Sequence, residues 1–276
     1  MAVWRKSIRS TLRPRGLFTL LAALLCAACA GPGTRGDGLS REEKRAFQHA
    51  EEVYLKGDYE EAAKLFVAYM ARFGSSPLNN KAHLYAGLAQ QKSHNFDQAH
   101  AHLLQAANST SATVATRAQM QLGYLKLRQQ DFLGAALHFH EAHARASDRE
   151  TLAEANLQLG IALQKGGRFA EARRILEACA NDASLPALRD RARMRLEYGS
   201  YFTVQVGAFS QPANAESLIQ KLSRQGFPVE LRETGGDGIK LYRVISGRFS
   251  TRTEARKHRQ EILARERWEE NPLIVP

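Results

Sequence analysis

A pattern that recurs every 36 or 37 residues occupies the middle of the chain and restricts its fold more than any other feature. Its marker is an aromatic residue that closes a short polar turn, in the triplets G-D-Y, H-N-F, Q-D-F and G-R-F. The intervals between these aromatic residues are 37, 36 and 37 residues, and the residues are Tyr59, Phe96, Phe132 and Phe169. Self-similarity at such a period is typical of stacked repeat architectures, and we predict four repeats.

Small residues recur in the same register. One set lies upstream of the aromatic residues, at Ala50, Gly87, Gly123 and Gly160, and a second lies downstream, at Ala62, Ala99, Ala135 and Ala172. Each downstream alanine is followed four residues later by Phe or Leu. This A-x3-F pattern resembles the tetratricopeptide repeat (TPR), whose small positions let two antiparallel helices pack closely. It predicts an all-α solenoid of TPR-like helical hairpins over residues 41–197, with a capping helix at residues 188–196.

A TPR-like array presents a concave groove, and the resemblance therefore implies a protein partner. We expect an unidentified envelope or divisome protein to bind there. In the competing interpretation, the repeats are a spacer that only positions the C-terminal segment.

Two matched strand patterns lie in that C-terminal segment. Residues 201–209 read Y-F-T-V-Q-V-G-A-F and residues 241–249 read L-Y-R-V-I-S-G-R-F, with apolar and polar residues alternating in each. A helix is predicted after each strand, the first between Pro212 and Gly226 and the second from the capping box of Thr251 and Glu254. A glycine-rich turn at residues 234–238 and a short strand at residues 273–275 complete the order β-α-β-β-α-β.

The strings V-Q-V-G-A-F, A-E-S-L-I-Q-K-L and Y-R-V-I-S-G-R-F resemble the SPOR domain family. The resemblance implies an α+β domain over residues 200–276, with a four-stranded antiparallel sheet and two helices on one of its faces. It also implies binding to peptidoglycan, at septal glycan strands whose stem peptides amidases have removed. The predicted fold class is thus multidomain, with an all-α solenoid followed by an α+β domain.

The open face of this sheet is the predicted binding surface. Alternation turns one set of side chains towards the helices and the other set outwards. The predicted glycan-binding residues are Thr203, Gln205, Leu241, Arg243 and Ile245, with Trp268 as a further stacking surface. Gln205 can both donate to and accept from acetamido groups, and Arg243 can make charge-assisted hydrogen bonds with a lactyl carboxylate.

One of these positions departs from the family. Leu241 lies where the family often has an aromatic residue, and we therefore expect weaker stacking on a sugar face. In the competing interpretation, Gln205 and Arg243 only solvate the sheet and Trp268 closes the core.

The N-terminus has the pattern of an export signal. Five basic residues precede an apolar stretch at residues 17–28, which is too short for the roughly 20 residues that span a bilayer. The string L-C-A-A-C at residues 25–29 resembles a bacterial lipobox and predicts a signal peptide over residues 1–28, lipidation of Cys29 and a flexible tether over residues 29–40. The resemblance to bacterial lipoproteins implies, for Ala30 in place of Asp after the cysteine, an anchor in the outer membrane that faces the periplasm, in a bacterium that has one. The competing interpretation is ordinary cleavage after Ala30 without lipidation.

Several other functions find no support in the sequence. The formal charge of +11 includes five basic residues of the signal, so nucleic acid is not an expected partner of the exported protein. His102 and His138 are related by the repeat, but no carboxylate or cysteine completes a metal site around them. No catalytic constellation is recognisable, and we expect no enzymatic activity, no metal and no cofactor.

Two hypotheses about function follow. In the first, an envelope lipoprotein binds denuded glycan through its sheet and a partner through its repeats, during cell division or wall remodelling. In the second, the repeats act as an envelope-assembly adaptor, and the SPOR domain is only a wall anchor.

Overall fold

Helices fill the first two thirds of the part of the chain that the structure, a computed structural model, describes. The described residues are 38–182, 184–236, 239–265, 268 and 271–276. The predicted signal peptide, Cys29 and residues 29–37 of the predicted tether lie outside them. The helices that precede the sheet are α1 (Arg41–Leu55), α2 (Tyr59–Arg72), α3 (Asn79–Lys92), α4 (Phe96–Ala107), α5 (Ala112–Arg128), α6 (Phe132–Arg145), α7 (Arg149–Lys165), α8 (Phe169–Asn181) and α9 (Pro186–Leu196).

The repeat aromatics mark the starts of helices. Each is the first residue of the second helix in a hairpin, at the beginning of α2, α4, α6 and α8. Aspartate caps two of these starts. Asp58 accepts a hydrogen bond from the amide of Glu61, and Asp131 accepts one from the amide of Gly134 at 2.9 Å, which satisfies amide donors that lack a partner inside the helix.

The turn before each aromatic residue has one conformation in all four hairpins. The residue two positions earlier has a positive φ angle in every case, at Gly57 (90°), His94 (63°), Gln130 (59°) and Gly167 (83°). Glycine adopts this left-handed conformation without steric cost, whereas His94 and Gln130 adopt it at a cost of about 1 kcal/mol or more. The turn geometry is therefore imposed by the packing of the two helices.

The small positions bring the helices of a hairpin close together. A Cβ atom on Gly87 would lie 2.7 Å from Cγ of Leu103, and one on Gly123 would lie 2.6 Å from the ring of Phe139. Gly160 is similarly close to Leu176. These are the same large side chains that follow the repeat alanines in the sequence, and each is fully buried. In these three hairpins the repeat pattern thus specifies the same contact, between the glycine of the first helix and the large side chain of the second.

The rest of the described chain forms a sheet with two helices. Its elements are β1 (Phe202–Phe209), α10 (Pro212–Arg224), β2 (Val229–Gly236), β3 (Ile239–Phe249), α11 (Arg252–Arg265) and β4 (Leu273–Val275). All neighbouring strands are antiparallel and lie in the order β2-β3-β1-β4. The predicted capping box starts α11, because the Thr251 amide donates to Glu254 and the Glu254 amide donates to Oγ1 of Thr251.

One face of the sheet packs against α10 and α11. Its core combines Phe202, Val204 and Val244 from the strands with Leu222 and Ile262 from the helices, all of them buried. The predicted fold class is confirmed, with TPR-like helical hairpins followed by an α+β domain that has two helices on one face of a four-stranded antiparallel sheet.

The repeats contact the sheet domain directly, and residues 41–276 form one compact unit. Phe169 packs edge-on against Phe202, with ring centroids 5.1 Å apart. The guanidinium of Arg252 lies 4.5 Å from the ring centroid of Phe132. None of the helices in the described residues has the length and apolar character needed to cross a bilayer.

Candidate functional site

The second face of the sheet carries most of the predicted site residues in adjacent rows. Strand pairing places Gln205 opposite Ile245 in β1 and β3, and it places Arg243 opposite Arg232 in β3 and β2. The next pair on the same face is Leu241 with Thr234. Because Val204 and Val244 face the helices, their neighbours Gln205, Arg243 and Ile245 point to the opposite face.

A cavity of about 380 Å³ lies over these rows. Its size falls within the range of about 300–1,000 Å³ that is usual for ligand pockets. The sheet supplies most of the lining, and the end of the repeat array supplies the rest. The lining residues are Gln205, Arg232, Thr234, Leu241, Arg243, Ile245 and Val275 from the sheet and Met194, Glu197 and Tyr198 from α9 and the residues that follow it.

Two arginines of the cavity have different partners. Nη1 of Arg243 donates a hydrogen bond to the hydroxyl of Tyr198 at 3.0 Å, and Arg243 forms no ion pair within the described part of the chain. Nη2 of Arg232 donates to the hydroxyl of Tyr201 at 2.7 Å and also pairs with Glu230 at 3.4 Å. Since a phenol is neutral, Arg243 keeps a positive charge that a ligand anion can neutralise.

The segment between the repeats and the sheet is tightly fitted. A Cβ atom on Gly199 would lie 2.3 Å from the ring of Tyr201, so no larger residue fits there without movement. Arg248 lies 5.1 Å from the centroid of the same ring. Arg248 and the hydrogen bond from Arg232 thus hold Tyr201 against the sheet.

Four of the six predicted glycan-binding residues line the cavity together, namely Gln205, Leu241, Arg243 and Ile245. Of these, Ile245 is only 2% exposed and contributes an apolar floor. Thr203 is fully buried, and its hydroxyl donates to the carbonyl oxygen of Ser246 at 3.2 Å. Trp268 packs against the core between the sheet and its helices, and its Nε1 donates to the carbonyl oxygen of Ile262.

The other lining residues were not predicted from the sequence. Arg232 could have been predicted, because antiparallel pairing of β2 with β3 sets it opposite Arg243. Thr234, which was predicted to lie in a turn, lies in β2 opposite Leu241. Met194, Glu197 and Tyr198 belong to the predicted repeat cap and to the junction that follows it. No local pattern indicates that they contact the sheet.

The histidines of the repeats pair within hairpins. Nδ1 of His83 lies 3.0 Å from Nδ1 of His102, and at the equivalent position of the next repeat Nδ1 of His138 lies 2.8 Å from Oε1 of Gln119. Burial lowers the pKa of His83, His102 and His138, which favours their neutral forms. Within the described residues, no three His, Cys, Asp or Glu side chains are grouped as metal ligands.

Comparison with known proteins gives three findings. No curated protein matches the chain. Two solved structures of a Podosopora anserina protein described as a putative kinesin light chain with nearly identical TPR-like repeats are similar to it, each at 15% identity. One of them is a point variant, and its match covers 66% of this chain and 93% of that chain, with a TM-score of 0.47. The match to the second structure covers 67% of this chain and 89% of that chain, with a TM-score of 0.45. Residues 198–269, which contain β1, α10, β2, β3 and α11, match the family model of the SPOR domain.

Proposed function

We propose that this protein is a non-enzymatic component of the bacterial cell envelope that binds peptidoglycan glycan strands through its sheet domain and a protein partner through its repeats. The observation that carries the proposal is the cavity on the sheet, most of whose lining residues lie in the segment that matches the SPOR domain. It unites Gln205 with Arg243, an arginine that forms no ion pair within the described residues. Both folds are binding modules.

The cavity suits a glycan from which the stem peptides have been removed. Such a strand offers acetamido groups, apolar sugar faces and one lactyl carboxylate per disaccharide. Gln205 can donate to and accept from an acetamido group, and Arg243 can bind the carboxylate. Leu241, Ile245 and Val275 supply an apolar surface beside them. An intact stem peptide would occupy the carboxylate as an amide and remove its charge.

The proposal extends to the role of the repeats and to location. Stacked helical hairpins commonly provide extended binding surfaces for other proteins, and we assign this role to residues 41–197, towards an envelope or divisome protein. The lipobox-like string at residues 25–29 supports a lipid anchor on Cys29, in the outer membrane and facing the periplasm. Recognition of denuded septal glycan would enrich the protein at the division site.

Co-sedimentation with purified sacculi tests glycan binding. A protein of residues 41–276 should bind sacculi, and treatment of the sacculi with an amidase should increase the amount bound. The double variant Gln205→Ala, Arg243→Ala should lose at least about tenfold in affinity, because it removes an amide and a charge-assisted contact. Arg224→Ala is the control, since Arg224 is exposed at the end of α10 and its loss changes the net charge equally. Binding to neither kind of sacculus would contradict the proposal.

Location and lipidation are tested in cells. Incorporation of labelled palmitate should be lost in Cys29→Ala and retained in Cys26→Ala, and absence of label in the wild-type chain would favour ordinary cleavage. A fluorescent fusion should be enriched at the septum, and Arg243→Ala should abolish that enrichment. Unchanged enrichment in Arg243→Ala would favour the adaptor hypothesis, in which the repeats determine location.

A further inference from the structure

The cavity on the sheet has a second wall that comes from the repeat array. Met194 lies in α9, and Glu197 and Tyr198 follow directly after it. We propose that Tyr198 is a glycan-binding residue, whose ring stacks on a sugar face and whose hydroxyl positions Arg243 for the lactyl carboxylate. This inference rests on the proposed function and adds a component from outside the sheet.

Tyr198 supplies the aromatic surface that the sheet itself lacks. It is the only aromatic side chain among the described residues that line the cavity, whereas the sheet contributes the aliphatic side chains of Leu241, Ile245 and Val275. Tyrosine combines a flat apolar face with a polar end, which suits a sugar whose ring has an apolar face and a polar edge. A stacking surface in the opposite wall therefore compensates for the leucine.

The hydroxyl of Tyr198 also orients Arg243. It accepts a hydrogen bond from Nη1 at 3.0 Å and uses one of the five donors of the guanidinium. Because a phenol is uncharged, the remaining donors keep their full attraction for an anion. A carboxylate in place of the phenol would form an ion pair with the arginine, as Glu230 does with Arg232 and Arg248.

The repeats hold this wall in place. Nε2 of Gln164 in α7 donates to the carbonyl oxygen of Arg195 at 3.0 Å, and the amide of Tyr198 donates to the same carbonyl group at 3.3 Å. The guanidinium of Arg195 lies 5.5 Å from the ring centroid of Tyr198. Helix α9 is further tied to α7 by the ion pair of Arg191 with Glu154 at 2.8 Å. The ring is thus ordered before ligand binding, which lowers the entropic cost of stacking.

The occupant that fits is a unit of about one disaccharide with an anionic substituent. The volume of about 380 Å³ lies near the lower end of the usual range for ligand pockets. The apolar residues and Tyr198 contact the sugar faces, and Arg243 contacts the carboxylate. An uncharged oligomer of N-acetylglucosamine offers the same sugar faces without the carboxylate. Comparing the two ligands therefore separates the contribution of stacking from that of the carboxylate contact.

Titration of residues 41–276 with two probes tests the proposal. The probes are glycan fragments from amidase-treated sacculi and an oligomer of N-acetylglucosamine. Tyr198→Ala should weaken binding of both probes, by about tenfold for the denuded glycan, because it removes the stacking surface. Tyr198→Phe retains the ring and should weaken only the denuded glycan, by a few fold, because Arg243 loses its hydrogen-bond acceptor.

Controls distinguish this proposal from loss of structure and from failure of the proposed function. Tyr242→Phe removes a hydroxyl from the helix-facing side of the same sheet and should leave the affinity unchanged. Circular dichroism and Trp268 fluorescence verify that each variant is folded. This inference is wrong if the unsubstituted protein binds denuded glycan and Tyr198→Ala binds it equally well or more tightly. Equal binding would mean that Tyr198 does not contribute to affinity, and tighter binding would mean that its side chain obstructs the cavity. If the unsubstituted protein binds neither probe, the proposed function fails as well.

Discussion

At the scale of single residues, the partners of Arg232 and Arg243 determine whether each positive charge is available to a ligand. They face each other across β2 and β3 and line the same cavity. Arg232 shares a carboxylate with Arg248, whereas Arg243 has only the neutral hydroxyl of Tyr198 as its partner among the described residues. We therefore expect anion binding to depend much more on Arg243 than on Arg232.

Arg243→Lys separates charge from geometry. Lysine keeps the positive charge, but its single ammonium group cannot contact Tyr198 and also hold a carboxylate in the forked arrangement of a guanidinium. We expect affinity for denuded glycan to fall by about tenfold, as for the loss of one charge-assisted hydrogen bond. Binding isotherms at constant ionic strength provide the measurement, with Arg224→Lys as the control. Equal affinity of Arg243→Lys and the unsubstituted protein would show that only the charge is used.

The sequence predicted part of this site for a clear physical reason. Alternation along a strand is a local property, and it placed Gln205, Arg243 and Leu241 on one face. Burial of Thr203 and Ile245 on that side depends on what covers the face, and the contact with Tyr198 is made by a residue that belongs to the junction between the two domains. A pattern within either domain contains no information about such a contact.

At the scale of elements, the aromatic residue of each repeat starts a helix in all four hairpins but packs against different neighbours. Two of the aromatic residues that start the second helices are covered from within the repeats. Tyr54 packs against Tyr59, and Arg128 lies over Phe96. Phe132 and Phe169 are instead covered by Arg252 and Phe202 of the sheet domain. The spacing in the sequence predicted where these helices start. Because the four aromatic residues are equivalent in the repeat, the spacing could not predict which two of them contact the sheet domain.

Gly123→Ala should destabilise the repeats although alanine is the better helix former. Helix propensity favours alanine by about 1 kcal/mol, whereas a methyl group 2.6 Å from the Phe139 ring forces the helices apart at a cost of about 1–3 kcal/mol. We expect a net loss of about 1 kcal/mol in the free energy of unfolding, measured by urea denaturation with circular dichroism.

Gly74→Ala is a control that makes the same change in the turn after α2, outside the helices. The new Cβ would lie 3.8 Å from the carbonyl oxygen of Met70, which is an ordinary contact, so little change is expected. The first repeat already has Ala50 at the position equivalent to Gly123, in the same core as the buried Phe66. A neutral or stabilising result for Gly123→Ala would show that the third hairpin can accommodate an alanine at this position, as the first does.

At the scale of the whole molecule, the contact between the repeats and the sheet domain makes the repeats part of the proposed glycan site. Phe169 and Phe202 pack at 5.1 Å, and a Cβ atom on Gly167 would lie 3.3 Å from the Phe202 ring. Phe202 is 2% exposed and belongs to the core of the sheet domain, so this contact joins the two cores. A partner that bends the repeat array would therefore move Tyr198 relative to Arg243 and change glycan affinity.

Phe169→Ala should weaken the sheet domain as well as the repeat that contains Phe169. Removing a fully buried phenylalanine costs about 3–5 kcal/mol, and we expect about 2 kcal/mol for this half-buried ring. Trp268 is the only tryptophan in residues 41–276 and lies against the core of the sheet domain, whereas circular dichroism at 222 nm reports mainly the repeat helices. The urea midpoint of Trp268 fluorescence should therefore fall in Phe169→Ala.

Phe96→Ala provides the comparison, because it removes the same side chain from the same repeat position, covered by Arg128 within the repeats. It should lower the midpoint seen by circular dichroism and leave that of Trp268 fluorescence nearly unchanged, since nearest-neighbour coupling weakens along a repeat array. If both variants shift the Trp268 midpoint equally, stability is shared along the whole array. If neither does, the Phe169 contact does not stabilise the sheet domain, and the wall that carries Tyr198 is free to move away from the sheet.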